Sequence, residues 1–158
     1  TTWVGLYKSA DETKSSNTMS TDATLRFAFA ANKIYAYQGA IKYYASTPAR
    51  MGGSKGGFNF ALSASTGTTL TYYMDLTEQA LGAGVATLAE SGGGATVVKN
   101  WNAITNADAD GYGTVHIDGT LDNTGGVAGT LQFAWCPEDN GVNAIVKAGS
   151  YLEYKLVN

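Results

Sequence analysis

The sequence predicts an all-β fold, an antiparallel β-sandwich of jelly-roll type with eight or nine strands and no long helix. Three observations predict it. Apolar and polar residues alternate with a period of two in at least six segments, which puts one apolar face on each strand. Clusters of Gly, Asn, Asp and Ser separate those segments and end them. Helical spacing is sustained nowhere, and twenty glycines with ten tyrosines and only two prolines suit strands joined by turns.

The 158 residues fit one domain, which at this size buries roughly 68–70% of its unfolded surface without needing staples. We divide the chain into an N-terminal strand or arm with a polar connection, residues 1–22, and a single sandwich domain, residues 23–158. The lone Cys136 excludes an intrachain disulfide and reads as a small, partly buried residue beside a proline. A formal net charge of −3 with no basic cluster argues against nucleic acid as a partner. The longest apolar runs are a few residues, too short to span a membrane, and the first residues lack the basic-then-apolar order of a signal peptide. Charged residues make up only 15%, sparse enough to suggest a surface partly covered by other chains.

In order, Trp3, Gly5 and Tyr7 share one side of the first strand and Val4 and Leu6 the other. Both sides are apolar, so this segment reads either as a buried strand or as an arm docking on a neighbour, with Trp3, Leu6 and Tyr7 as interface candidates. Lys8 to Asp22 is polar and without periodicity, an exposed connection. Leu25, Phe27 and Phe29 then alternate with polar or small residues, and Ala31 to Lys33 breaks the pattern before Ile34 to Tyr44, a hairpin candidate. Tyr35, Tyr37, Ile41 and Tyr43 share one face of that second run and Ile34, Ala36 and Ala40 the other, as expected of a central strand covered on both sides.

Ser46 to Gly57 is a Gly-rich loop carrying Arg50 and Lys55. Phe58, Phe60 and Leu62 mark the next strand, Ser65 to Gly67 a turn, and Leu70, Tyr72 and Met74 another strand. Leu76 to Ala89 is ambiguous: Leu81, Val85 and Leu88 lie near helical spacing, yet Gly82 and Gly84 each cost about 1 kcal/mol relative to Ala in a helix, so a loop with a turn of helix is expected. Ser91 to Gly94 reads as a turn, followed by a strand over Thr96 to Trp101, an Asn- and Asp-rich loop to Gly113, and a strand carrying Val115, Ile117 and Leu121. The last two strands carry Leu131, Phe133 and Trp135, then Leu152, Tyr154 and Leu156, separated by the Pro137 to Gly141 turn and a break at Ala148 to Ser150.

No catalytic constellation emerges, so no enzyme is expected and no cofactor is implied. Asn106, Asp108 and Asp110 before Gly111 resemble the opening of a calcium loop, but Ile117 stands where the bidentate Glu belongs, and tight surface loops use the same residues. His116 and Asp118 share a strand face and could pair as base and orienter, without a nucleophile to serve. Glu12, Glu78, Glu90, Glu138 and Glu153 form no recognisable carboxylate pair. Neither Gly52 to Gly57 nor Ser91 to Gly94 carries the Lys-Ser/Thr signature of a phosphate loop.

Three blocks occur together: Lys8 to Thr13 (KSADET) followed by Asp22 to Tyr35; His116 to Thr120 (HIDGT); and Gly129 to Trp135 (GTLQFAW) ending in Val146 to Leu152. In order and spacing they resemble small virion proteins of tailed bacteriophages, of the head decoration or head fibre type. The resemblance spans most of the chain, with Met74 to Asn102 unmatched. It implies a jelly-roll-like sandwich that assembles as a homotrimer on the outer capsid surface of the virion, with the major capsid protein as partner. A receptor- or carbohydrate-binding domain of a phage fibre is the alternative, one that would stack sugars on exposed Trp3 or Trp101.

Overall fold

The computed structural model describes residues 2–45, 58–64, 68–80, 85–94, 96–101, 111–137, 140–141 and 143–158; at 45, 76–80, 85–94, 96–101 and 111 the description covers the backbone alone. Within them the chain forms twelve strands: β1 (Val4–Tyr7), β2 (Glu12–Lys14), β3 (Ser20–Phe29), β4 (Ile34–Ala45), β5 (Phe58–Ser63), β6 (Thr69–Ala80), β7 (Val85–Gly94), β8 (Thr96–Trp101), β9 (Gly111–Asp122), β10 (Gly129–Pro137), β11 (Ala144–Val146) and β12 (Tyr151–Leu156). The larger sheet runs β1-β12-β4-β9-β6-β7, with β11 beside β4 and β2 beside β11; the smaller runs β3-β10-β5-β8. Every pairing is antiparallel.

The strand order is that of a jelly roll. Number β1, β3, β4, β5, β8, β9, β10 and β12 from first to eighth, and the larger sheet contains first-eighth-third-sixth while the smaller is second-seventh-fourth-fifth. The β6-β7 hairpin is an insertion between the fourth and fifth of these strands, added along β9. Strands β1 and β2 lie end to end along β12 and β11, which in turn lie end to end along β4. The break in each row falls at the same place. There Gly149, at φ 81°, turns the chain, its N–H donates to Lys8 O (2.8 Å), and the Lys8 N–H donates to Ser150 O (2.9 Å).

The core is what the alternation dictates. Leu25, Phe27 and Phe29 of β3 and Leu131, Phe133 and Trp135 of β10 meet Tyr35, Tyr37, Ile41 and Tyr43 of β4, Val115, Ile117 and Leu121 of β9 and Leu152 of β12, all buried. Stacked aromatic pairs join the layers: Phe27 on Tyr154 with centroids 4.0 Å apart, and Tyr43 on Phe58 at 4.4 Å.

Several expectations are corrected. Residues 25–44 do not form a hairpin, because β3 pairs with β10 while β4 pairs with β9, β11 and β12. Two strands with apolar faces toward one core satisfy the same pattern across a sandwich as beside one another. The corner is turned by Asn32, at φ 56°, whose Oδ1 accepts the Gly125 N–H at 2.9 Å. The ambiguous region 76–89 contains no helix among its described residues; β6 continues to Ala80, and β7 begins at Val85 and runs through the Ser91-Gly94 stretch read as a turn. Main-chain ladder bonds to β6 need no particular side chain, so the glycines there left no alternation to read. The connection 8–22 holds β2 and the start of β3, and Lys8 and Asp22 are buried. Finally, β4 is central but its second face is only partly covered: Ala40 is buried there, while Ile34, Ala36, Gln38 and Tyr44 are half-buried and Lys42 is exposed.

Candidate functional site

The outward face of the larger sheet is built by period-two parity from the residues that the core leaves over. Along β1 these are Gly5 and Tyr7, opposite Glu153 and Tyr151 of β12, with Trp3 just before the strand. Trp3 is half-buried, with Lys155 Nζ 4.7 Å from its ring centre, within cation–π range. Tyr7 is 61% exposed and leans on Tyr151, centroids 5.8 Å apart. Leu6 is on the opposite side, paired with Leu152 and packed against the core. The structure therefore brings Trp3 and Tyr7 together on one surface and assigns Leu6 to the interior. Strand β1 terminates the sheet order, so its far edge carries no strand among the described residues.

Further across this face, His116 of β9 and Asp75 of β6 are cross-strand neighbours with Nδ1 and Oδ1 3.0 Å apart, both open to solvent. The expected His116–Asp118 pairing is replaced, because a residue directly opposite on the next strand is nearer than one two positions along. At the end of β4 and β9 an open cleft of about 340 Å³ is lined by Lys42, Tyr44, Tyr112, Thr114 and Lys147, with Tyr112 46% exposed. The Asn106, Asp108 and Asp110 loop, the Ser46–Gly57 loop, the Ser65–Gly67 turn and the side chain of Trp101 lie outside the described residues. Among those described, no three His, Cys, Asp or Glu residues group closely enough to hold a metal.

Beneath the β1–β2 break lies a cluster that the sequence did not announce. Asp22, fully buried, sits where β3 slips register against β10, between the Arg26–Gln132 and Thr21–Ala134 pairs. Its Oδ1 accepts the Thr24 and Leu25 N–H groups at 2.8 and 3.0 Å, the local bonding that lets Asp interrupt a ladder. Its Oδ2 accepts Trp135 Nε1–H at 3.0 Å and Lys8 Nζ at 2.8 Å. Lys8, itself only 6% exposed, also donates to Glu12 Oε2 at 2.5 Å. Burial alone would lower the Lys8 pKa, but its bonds to Asp22 and Glu12 outweigh that and hold it above 10.5. Burial alone would raise Asp22, and its bonds to Lys8, Trp135, Leu25 and Thr24 bring it below 3.8 instead. Lys14 spreads over the other side of Trp135, Nζ 4.2 Å from the ring centre and donating to Ser20 O at 2.9 Å; burial lowers its pKa.

Periodicity could not reveal this cluster, since Trp135 is 113 residues from Asp22 and only the fold joins them. Cys136 is buried and its thiol pKa is pushed up by desolvation. No protein-family model matches the chain, and no curated protein matches it.

Proposed function

We propose that this chain is a structural virion protein, a decoration or cement protein that binds the outer surface of a bacteriophage head through the major capsid protein, as a homotrimer. The observation that carries the reading is the aromatic rim at the terminal strand: Tyr7 on β1 and Trp3 just before it, against Lys155, lie on the outward face, and the far edge of β1 ends the sheet order. A partner strand adding there gains main-chain hydrogen bonds, and the two rings supply anchors of the type that dominates binding energy. The jelly-roll order and the resemblance of the three sequence blocks support the same reading. The work is assembly rather than turnover.

The test uses stripped phage heads and the full chain. Trp3→Ala and Tyr7→Ala are each expected to cost about 2 kcal/mol in binding, more than a tenfold fall in occupancy at subsaturating concentration. Unchanged occupancy for both would move the attachment surface elsewhere. The glycan-binding alternative draws on a separate observation, the cleft where Tyr44 and Tyr112 stand beside Lys42. It requires saccharide binding that Tyr112→Ala abolishes while leaving head occupancy intact.

A further inference from the structure

An amine and a carboxyl group held in contact inside a protein are the two reactants of an amide condensation. Lys8 Nζ lies 2.8 Å from Asp22 Oδ2, the Lys8 side chain is 5% exposed and the Asp22 side chain 0%, and the Glu12 carboxylate is hydrogen-bonded to the same Nζ. We propose that Lys8 and Asp22 condense in the folded chain into an isopeptide bond between Nζ and Cγ, with Glu12 relaying the protons. Contact inside a folded site replaces a bimolecular encounter, which for well-oriented groups is equivalent to a concentration of about 10⁵ M or more. The product also exchanges two buried charges for one neutral amide, which removes the desolvation penalty that burying an ion pair incurs.

Each neighbour of the pair has a part in the step. Proton transfer along the Lys8–Asp22 hydrogen bond first turns ammonium and carboxylate into amine and carboxylic acid; the site favours the ionised pair, so this neutral pair is a minor state and the condensation is slow. The amine lone pair then attacks Cγ, and the negative charge of the tetrahedral adduct develops on Oδ1. That oxygen already accepts the N–H groups of Thr24 and Leu25, at 2.8 and 3.0 Å, two fixed donors placed as in an oxyanion hole. Glu12 takes a proton from Nζ and delivers it to Oδ2, toward which the Trp135 Nε1–H also points. Oδ2 leaves as water. The Nζ–Cγ bond has formed, the Cγ–Oδ2 bond has broken, no oxidant or reductant takes part, and Glu12 ends as the carboxylate it began as. A hollow of about 240 Å³ lined by Lys8, Ser9, Asp11, Glu12 and Thr24 opens above the cluster and lets the water out.

The bond would staple the end of β1 to β3, across the two layers of the sandwich, closing a loop between residues 14 positions apart. A protein that anchors through β1 would thereby transmit load from that strand to the second sheet through covalent bonds.

The experiment is intact mass of the purified, folded full chain, followed by protease digestion and fragment sequencing. Wild type is expected to weigh one water less than its sequence requires and to yield a branched peptide joining Lys8 to Asp22. Lys8→Arg, whose guanidinium is a poor nucleophile, is expected at its full sequence mass. Glu12→Gln keeps both reactants and is expected to fold, with the bond forming roughly 10²-fold more slowly or not at all. Wild type at full mass after prolonged incubation in the folded state would overturn the proposal, leaving only an ion pair. A water lost as a cyclic imide within one linear peptide would overturn it equally. Condensation of Glu12→Gln at the wild-type rate would remove Glu12 from the step.

Discussion

Asp22 concentrates at one residue several physical effects that usually act apart. It interrupts β3, accepts four hydrogen bonds and neutralises a lysine inside the protein. In the uncondensed Glu12→Gln background, Asp22→Ala leaves the Lys8 ammonium without a carboxylate and strands the Trp135 indole N–H, so we expect a loss of about 3–5 kcal/mol against Glu12→Gln alone in a urea titration. The pH dependence follows from the direction of the shifts. In the Glu12→Gln chain, which carries Lys8 and Asp22 as ions, Asp22 titrates below 3.8 in the native state and near 3.8 when unfolded. Between these values the unfolded state binds more protons, so stability is full above 3.8 and is lost as pH falls through the native value. Lys8 is raised above 10.5 only with Glu12 beside it, so in an uncondensed chain that keeps Glu12 its share is full below 10.5 and is lost as pH rises through the native value. A wild-type chain joined by the amide has neither group left to titrate. We therefore expect its melting temperature to respond less to acid than that of Glu12→Gln, and identical acid profiles would count against the bond.

At the scale of the element, β9 is the most constrained strand, lying between β4 and β6 along its whole length. Its Gly119 leaves no room for a side chain, since a Cβ there would come within 1.9 Å of Thr71 O and 2.6 Å of the Tyr37 hydroxyl. Tyr37 in turn donates to Thr71 O at 2.8 Å. Gly119→Ala must push back main chain and a buried ring together, and we expect a loss of about 1–3 kcal/mol by thermal or urea denaturation. The first strand is the opposite case, a terminal element with mixed duties. Since Val4–Tyr7 pairs with β12 and Leu6 packs on the core, removing residues 1–7 should lower the melting temperature of the domain. Trp3→Ala, at the outward surface, should leave stability within about 1 kcal/mol while reducing head occupancy. A truncated chain that melts like the full one would show that β1 contributes nothing to its own sheet.

For the molecule as a whole, the jelly roll leaves one broad sheet face on which Trp3, Tyr7, Tyr73, Tyr112 and Tyr151 alternate with charged residues such as Lys42, Asp75, Asp118, Glu153 and Lys155. Its terminal strand presents an edge. Closed symmetry is the economical way to cover such surfaces, because it leaves no repeating contact open to uncontrolled growth. We expect light scattering at micromolar concentration to give three chain masses. A monomer that also fails to bind stripped heads would contradict the assembly reading at both levels.

The sequence by itself determined the class of fold and the interior. Leu25, Phe27, Phe29, Leu131, Phe133 and Trp135 were legible as core because a period of two is a local property, set by the alternation of side chains along one strand. Strand partners were not legible: an apolar face is satisfied equally by a neighbour in its own sheet and by the facing sheet, which is why 25–44 resembled a hairpin. Nor could β7 be read, because Ser91 to Gly94 offer no apolar alternation and a main-chain ladder needs none. Parity alone put Trp3 and Tyr7 on one side and Leu6 on the other, but only the pairing with β12 decided which side faces the core. The Lys8, Glu12, Asp22 and Trp135 cluster belongs wholly to the tertiary structure. Polar residues in a stretch without periodicity look like an exposed loop until a tryptophan 113 residues away closes over them, and only burial makes their charges consequential.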